Sequence, residues 1–182
     1  VVSIDGTGDA ITKPSASWNV LRAESQDGGQ TTASWWLIAG AAEPGTYTAS
    51  WTGNENFVGG IVRISGADTA NPINVSASST GTGNPVAPAV TPTLDETRII
   101  RFCGIDDAGQ GDNFQADGPD TVLWARRSGG GPNSVSQSLA HKTQPTAGNT
   151  AIGTWTIGGG EGWYAATIAI APKPPVEAPV FY

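Results

Sequence analysis

Apolar and polar residues alternate along most of this chain with the two-residue period of a β-strand. No stretch repeats apolar residues at helical spacing over three turns, and clusters of Gly, Pro, Asn and Asp separate the alternating runs. The pattern predicts an all-β fold of about ten strands, arranged as a two-sheet antiparallel, jelly-roll-like β-sandwich. The predicted strands are residues 1–4, 18–24, 32–41, 46–52, 57–65, 98–105, 121–127, 134–142, 150–157 and 163–171, with less regular runs at 73–76 and 87–91.

Two adjacent tryptophans, Trp35 and Trp36, lie in a run that is apolar at nearly every position. Adjacent strand residues point to opposite faces, so this run predicts a strand covered on both faces. We assign Trp35 to the core beside Trp51, and Trp36 with Ile38 to a second layer formed by a loop, a neighbour's arm or a glycan. The connector EPG at 43–45 predicts a hairpin between this strand and the next.

Small residues mark two further features. Gly59 and Gly60 predict a bulge or the close approach of a large ring. The segment SASSTGTGNPVAPAVTPT at 76–93 has the composition of a linker between domains. A long surface connection within one sandwich is the favoured interpretation, because neither half of the chain alone offers enough strands to close a sandwich.

The last segment, APKPPVEAPVFY, differs in composition from the rest because its prolines favour an extended chain. We therefore expect a sandwich domain at 1–171 and a proline-rich extended arm at 172–182. Because Val180, Phe181 and Tyr182 are apolar, the arm is expected to dock on a neighbouring subunit by strand addition or pocket filling. A disordered tail or a linker to a further domain is the alternative.

Charge and cysteine content exclude several classes of function. The chain has 9 Lys plus Arg against 16 Asp plus Glu, a net charge of −7, which opposes binding to nucleic acid. No apolar run approaches the roughly 20 residues that span a bilayer.

The start without Met indicates a processed chain or one recorded without its beginning. Cys103 is the only cysteine and alternates with apolar residues, which predicts a small buried hydrophobe and no intrachain disulfide.

Candidates for catalysis and metal binding are few. His141 is the only histidine, no nucleophile elbow is present, and we name no catalytic residue and expect no enzyme. The acidic loop IDDAGQGDNFQADGPD is the one candidate metal site, because calcium requires hard oxygen ligands. Its candidate ligands are Asp106, Asp107, Asp112 and Asp117. Asp, Asn and Gly are also ordinary turn residues, so a solvated loop without calcium, and no other cofactor, is the simpler interpretation.

Exposed tryptophans on a sandwich can stack against sugar rings. Trp18, Trp36 and Trp163 are the candidates for such a platform, whereas Trp51, Trp124 and Trp155 align with other apolar residues and are assigned to the core.

Several short segments together resemble a known type of repeat. They are residues 14–18, the Trp35 and Trp36 pair, AGAAEPGTYT, the Gly59 and Gly60 pair, and SGADTANPI. In this order they resemble a jelly-roll or Ig-like β-sandwich repeat of large secreted or surface-exposed bacterial proteins and of phage structural proteins, over residues 11–171. The resemblance implies a structural or adhesive module on a cell surface or a virion exterior. Such repeats carry one or two strands before the point where VVSI begins, so we expect an open slot for a neighbour's arm.

Two functions follow from these observations. The first is a non-enzymatic structural subunit of an extracellular filament or phage particle, which assembles with copies of itself or other structural subunits through strand edges and the arm. The alternative is a carbohydrate-binding or adhesion module that recognises a glycan, with or without calcium. A hydrolase is disfavoured, because the chain shows no recognisable pair of catalytic acid and base.

Overall fold

The computed structural model describes residues 1–27, 29–106, 116–129 and 133–175. In these ranges the chain forms thirteen strands and no helix, as the alternating pattern predicts. The strands are β1 Val2–Asp5, β2 Ile11–Thr12, β3 Asn19–Asp27, β4 Gln30–Trp36, β5 Ser50–Trp51, β6 Phe57–Gly59, β7 Ile73–Thr82, β8 Val86–Ala87, β9 Thr97–Asp106, β10 Thr121–Arg127, β11 Val135–Gln144, β12 Gly153–Thr154 and β13 Gly162–Ile170.

Two antiparallel sheets form the body of the fold. One has the order β3-β4-β1-β6 and the other β10-β11-β9-β13-β7. The sheets pack face to face in matching order: β3 lies against β7 and β13, β4 against β13 and β9, β1 against β9 and β11, and β6 against β11 and β10. The prediction of an antiparallel two-sheet sandwich is confirmed.

The five-stranded sheet is covered on both faces. Its inner face, toward the four-stranded sheet, carries Ile100, Phe102, Leu139, Tyr164, Ala166 and Ile168. Its outer face carries Cys103, Ile105, Trp163 and Ala165 and packs under the ribbon of β8 and β12, from which Trp155 completes the cluster. This double cover explains why β9 and β13 are buried at nearly every position, as strands of a middle layer must be.

The four-stranded sheet has a second cover of its own. Ile4 and Ala33 point away from the five-stranded sheet and pack with Ile11, Trp35 and Trp51 under the ribbon of β2 and β5. The expected packing of Trp35 beside Trp51 is therefore present, but the cluster lies under this ribbon and not between the two main sheets.

Between the sheets, part of the core is polar. The Ser3 and Thr32 hydroxyls are 2.8 Å apart, the Thr32 hydroxyl donates to Gln30 Oε1 at 2.6 Å, and Gln137 Nε2 donates to Ser3 Oγ at 2.9 Å. All four residues are buried. They face Gly104 on β9, where a Cβ would lie 2.5 Å from Ser3 Oγ and closer still to Thr32 Oγ1. Only glycine leaves room for these hydroxyls.

The predicted hairpin at EPG is wrong. β4 pairs with β3 and β1, whereas the strand expected at 46–52 is reduced to β5, which pairs with β2. The reason is that both sides of β4 are already paired, with β3 and with β1, so no side is left for a returning strand and residues 37–49 form a loop.

The segment with linker composition contains most of a strand that was expected only at 73–76. β7 runs through residues 73–82 and pairs along its length with β13, so neither the linker nor the surface-connection interpretation holds for these residues. Ser, Thr and Ala provide no hydrophobic period, but their backbone groups pair as well as any others. The Trp163 ring explains the glycine at 81, where a Cβ would lie 2.7 Å from Trp163 Cζ2.

Both ends of the sandwich domain are tied into the fold. β1 lies between β4 and β6, so the open slot expected beside the VVSI strand is filled on both sides. At the other end, Pro172 bridges to Ala67 and the Lys173 amide donates to the Gly66 carbonyl at 2.7 Å. Val180, Phe181 and Tyr182 of the predicted arm lie outside the described residues.

Candidate functional site

Each main sheet ends in two edge strands, and three of the four are poor templates for a further strand. β3 has two register shifts and carries charged residues, β6 is three residues long, and β10 has a register shift and ends in Arg126 and Arg127. Short length, bulges and charged side chains are the devices that protect sheet edges from pairing with other chains. These three edges are therefore protected.

The fourth edge, β7, has fewer of these protections, because its one register shift lies at its first residues. It is ten residues long and its sequence, INVSASSTGT, contains no charged residue and no proline. Its register with β13 is regular except near Ile73. Within the described ranges, β13 is the only strand that pairs with it. The outer side of β7 therefore presents a row of backbone donors and acceptors, which among the four edges compared is the most favourable for strand addition.

Side-chain contacts hold β7 in place. Val75 and Ala77 pack on the outer face of the five-stranded sheet, and Ser76 Oγ accepts from the Arg22 guanidinium at 2.9 Å across the sandwich. Ser79 Oγ donates to the Val86 carbonyl at 2.6 Å. The edge is thus fixed in position before any partner arrives, which lowers the entropic cost of strand addition.

A second surface feature is a groove beside the 37–49 loop, with a volume of about 470 Å³. Trp18 and Tyr47 meet there edge to face, with ring centroids 5.0 Å apart. Glu43 accepts hydrogen bonds from the Tyr47 hydroxyl and the Gly40 amide, and both bonds lower the pKa of Glu43. The bond to Glu43 raises the pKa of Tyr47. The lining residues are Pro14, Ser15, Ser17, Trp18, Leu37, Glu43, Pro44, Thr46, Tyr47 and Thr48.

The three tryptophans expected to stack on a glycan do not share one surface. Trp163 is only 6% exposed and packs against Gly81, so it offers no platform. Trp18 is 9% exposed and lines the groove. Trp36 is half-buried, pairs with Asn19, and is followed by Leu37 at the groove. Ile38, the other expected interface residue, is 40% exposed.

The acidic loop is only partly described. Asp107 and Asp112 lie outside the described residues. Asp106 ends β9, and exposed Asp117 accepts a hydrogen bond from the Thr156 hydroxyl at 3.2 Å. Across the described ranges, no group of three or more His, Cys, Asp or Glu side chains is placed to hold a metal ion. Calcium binding by this loop stays a prediction.

Cys103 and His141 both have structural surroundings. Cys103 is fully buried beside Trp155, and burial raises the pKa of its thiol well above the ordinary value, as expected of a small core residue. His141 Nδ1 lies 2.8 Å from the Arg98 guanidinium on the neighbouring strand β9. Cys103 pairs with Ser138 and His141 pairs with Ile100, so the two residues are not cross-strand partners.

A buried charge network was missed by the sequence analysis. Arg101 on β9 is 2% exposed and contacts Asp120 Oδ2 at 2.6 Å. It also donates to the carbonyls of Thr150 and Ala151, while Lys142 donates to Thr150 at 3.0 Å. Desolvation and the nearby Arg101 charge lower the pKa of Lys142. The network fastens the 145–152 loop to the sheet. Arg101 alternates with the apolar residues of β9, and a charged residue at such a position was the sequence signal for a buried ion pair.

Comparisons with protein-family models, with curated proteins and with solved structures find no match. In the part of the chain that the structure describes, no helix is long and apolar enough to cross a membrane. Function is therefore inferred from the β7 edge and the aromatic groove themselves.

Proposed function

We propose that this protein is a non-enzymatic structural subunit of an extracellular filament or phage particle exterior, which self-assembles through the β7 edge. The observation that carries the proposal is the contrast between β7 and the other three edges. Bulges, charges or short length protect β3, β6 and β10, whereas β7 is long, uncharged and regular in register from Val75 to Thr82.

The energetics favour such an assembly. In an antiparallel pairing, alternate residues of β7 would exchange backbone hydrogen bonds with the added strand. Each bond contributes a net of about 0.5 to 1.5 kcal/mol. A strand of ten residues therefore supplies several kcal/mol before any side chain is counted. The chain has a single cysteine, so assembly is also a route to robustness that does not depend on disulfides.

The test compares one substitution on the open edge with the same substitution on a protected edge. Thr80 on β7 and Thr121 on β10 are both exposed threonines of edge strands. We expect wild type and Thr121→Lys to form regular polymers by electron microscopy and sedimentation velocity, whereas Thr80→Lys stays monomeric because a lysine blocks an edge. A wild type that is monomeric at all concentrations would refute the proposal.

A carbohydrate-binding module is the second candidate, and the groove at Trp18 and Tyr47 is the observation that favours it. The groove combines an aromatic pair with a carboxylate and several hydroxyls, which are groups that recognise sugars. Binding on a glycan array that Tyr47→Ala abolishes and Phe57→Ala preserves would support this function. Phe57 is an exposed aromatic residue outside the groove. Repeating the assay with a chelator tests the calcium requirement.

A further inference from the structure

We propose that the β7 edge is filled by residues 176–182 of a neighbouring copy, which adds as one more strand to the five-stranded sheet. The inference rests on the proposed function and specifies its partner. The acceptor is an edge without charge or proline, and the donor is the segment VEAPVFY. The β7 edge takes the place of the slot that we expected beside β1, because β4 and β6 fill both sides of β1.

The spacing of proline in the donor suits a strand that pairs on one side only. In such a strand every second amide points toward the partner, and a proline is tolerated only where the amide points away. With Pro179 in the outward set, the amides of Val176, Ala178, Val180 and Tyr182 all point to β7. In this register Pro179 lies where no amide is needed, and four amides of the donor segment are available to donate hydrogen bonds to β7.

The side chains of the donor divide in the same way. Val176, Ala178, Val180 and Tyr182 share one face of the added strand, which makes that face wholly apolar. β7 carries no charged side chain that an apolar strand would have to desolvate. The donor and the acceptor are thus matched in charge as well as in backbone geometry.

The path of the chain directs the donor to another copy. Residues 171–173 are held antiparallel against 66–72, since the Ala171 amide donates to Pro72 and the Lys173 amide to Gly66. Pro174 and Pro175 follow on the surface. To lie along its own β7, the chain would have to reverse direction directly after two prolines, which favour an extended course. Because donor and acceptor surfaces differ, repetition gives an open head-to-tail polymer.

Mixing two full-length variants tests the inference. Ala178→Pro disables the donor, because it removes an amide that points to β7, and leaves the acceptor intact. Thr80→Lys disables the acceptor and leaves the donor intact. Glu177→Pro is the matched control, because its amide points away. Sedimentation velocity and native mass spectrometry measure the species formed by each variant alone and by an equimolar mixture.

We expect wild type and Glu177→Pro to polymerise and each disabled variant alone to remain monomeric, with an assembly concentration raised at least about tenfold. The mixture should form a 1:1 heterodimer that does not grow. Polymerisation of Ala178→Pro alone, or a mixture that stays monomeric while wild type assembles, would overturn the inference but not the proposed function. A monomeric wild type overturns both.

Discussion

Gly104→Ala is the substitution that most directly tests the packing between the two sheets. The added methyl group would lie 2.5 Å from Ser3 Oγ, about 0.9 Å inside the 3.4 Å at which ordinary contact begins, and closer still to Thr32 Oγ1. Both hydroxyls belong to the opposite sheet and are held by each other and by Gln137. They cannot move aside without breaking hydrogen bonds in a buried environment.

The size of the effect follows from three contributions. Overpacking a core costs about 1 to 3 kcal/mol, and each disturbed buried hydrogen bond costs about 1 kcal/mol. Removing a glycine from a strand returns about 0.5 to 1 kcal/mol. We expect the free energy of unfolding to fall by about 2 to 3 kcal/mol, and the melting temperature by about 5 to 10 °C for a chain of this length.

Urea denaturation followed by tryptophan fluorescence measures this change, with Gly160→Ala as the control. A Cβ at Gly160 would meet nothing within 4 Å, so that variant should stay within about 0.5 kcal/mol of wild type. In a Ser3→Ala, Thr32→Ala background the penalty for Gly104→Ala should shrink, because the obstructing oxygens are gone. Equal stability of the Gly104→Ala and Gly160→Ala chains, or an undiminished penalty in that background, would refute the reasoning.

Three further substitutions or conditions probe the rest of the fold. Asp120→Asn leaves the Arg101 guanidinium buried without its carboxylate, and urea denaturation should show a loss of about 3 to 5 kcal/mol. Burial raises the pKa of the Cys103 thiol, so a thiol reagent should react only on unfolding. The stability contributed by the neutral Cys103 thiol should be complete below about pH 8.5 and be lost as the pH rises toward the folded pKa, relative to Cys103→Ala. Gly60→Ala places a Cβ 2.6 Å from the Trp124 ring, so it should cost about 1 to 3 kcal/mol and alter tryptophan fluorescence.

Each of these has a control within the chain. Asp117→Asn changes an exposed aspartate and should leave stability within about 0.5 kcal/mol. Gly45→Ala adds a Cβ in open space and should likewise be neutral. The interpretation of the Arg101 network fails if Asp120→Asn is as stable as Asp117→Asn. Rapid labelling of Cys103 in the folded chain would contradict its burial.

Several features of the fold were readable from the residues alone. The strands at 98–105, 121–127, 134–142 and 163–171 are present with ends shifted by no more than two residues. Their alternating or continuous apolar side chains carry the signal directly. The prediction that a large ring approaches Gly60 is also confirmed, by Trp124. In these cases the physical cause lies in the local sequence.

The two candidate surfaces could be predicted only in part. The hairpin expected at 43–45 is absent, and the aromatic groove beside this loop depends on Tyr47 packing edge to face against Trp18. Trp163 was expected at the surface, yet the glycine at 81 on the neighbouring strand gives its ring a buried site. Such a site depends on a residue more than eighty positions away, which no local pattern contains.

By itself, the sequence determined the all-β class, the strands at 98–105 and 163–171 and the burial of Cys103, because side-chain periodicity and strand propensity are local properties. Only the tertiary structure decided that β4 pairs with β1 and β3, that residues 73–82 form an edge strand, and that this edge is the unprotected one. Strand pairing is made by backbone groups that every residue carries, so the local sequence does not specify which strand becomes the partner. The edge that we propose for assembly is a result of that choice.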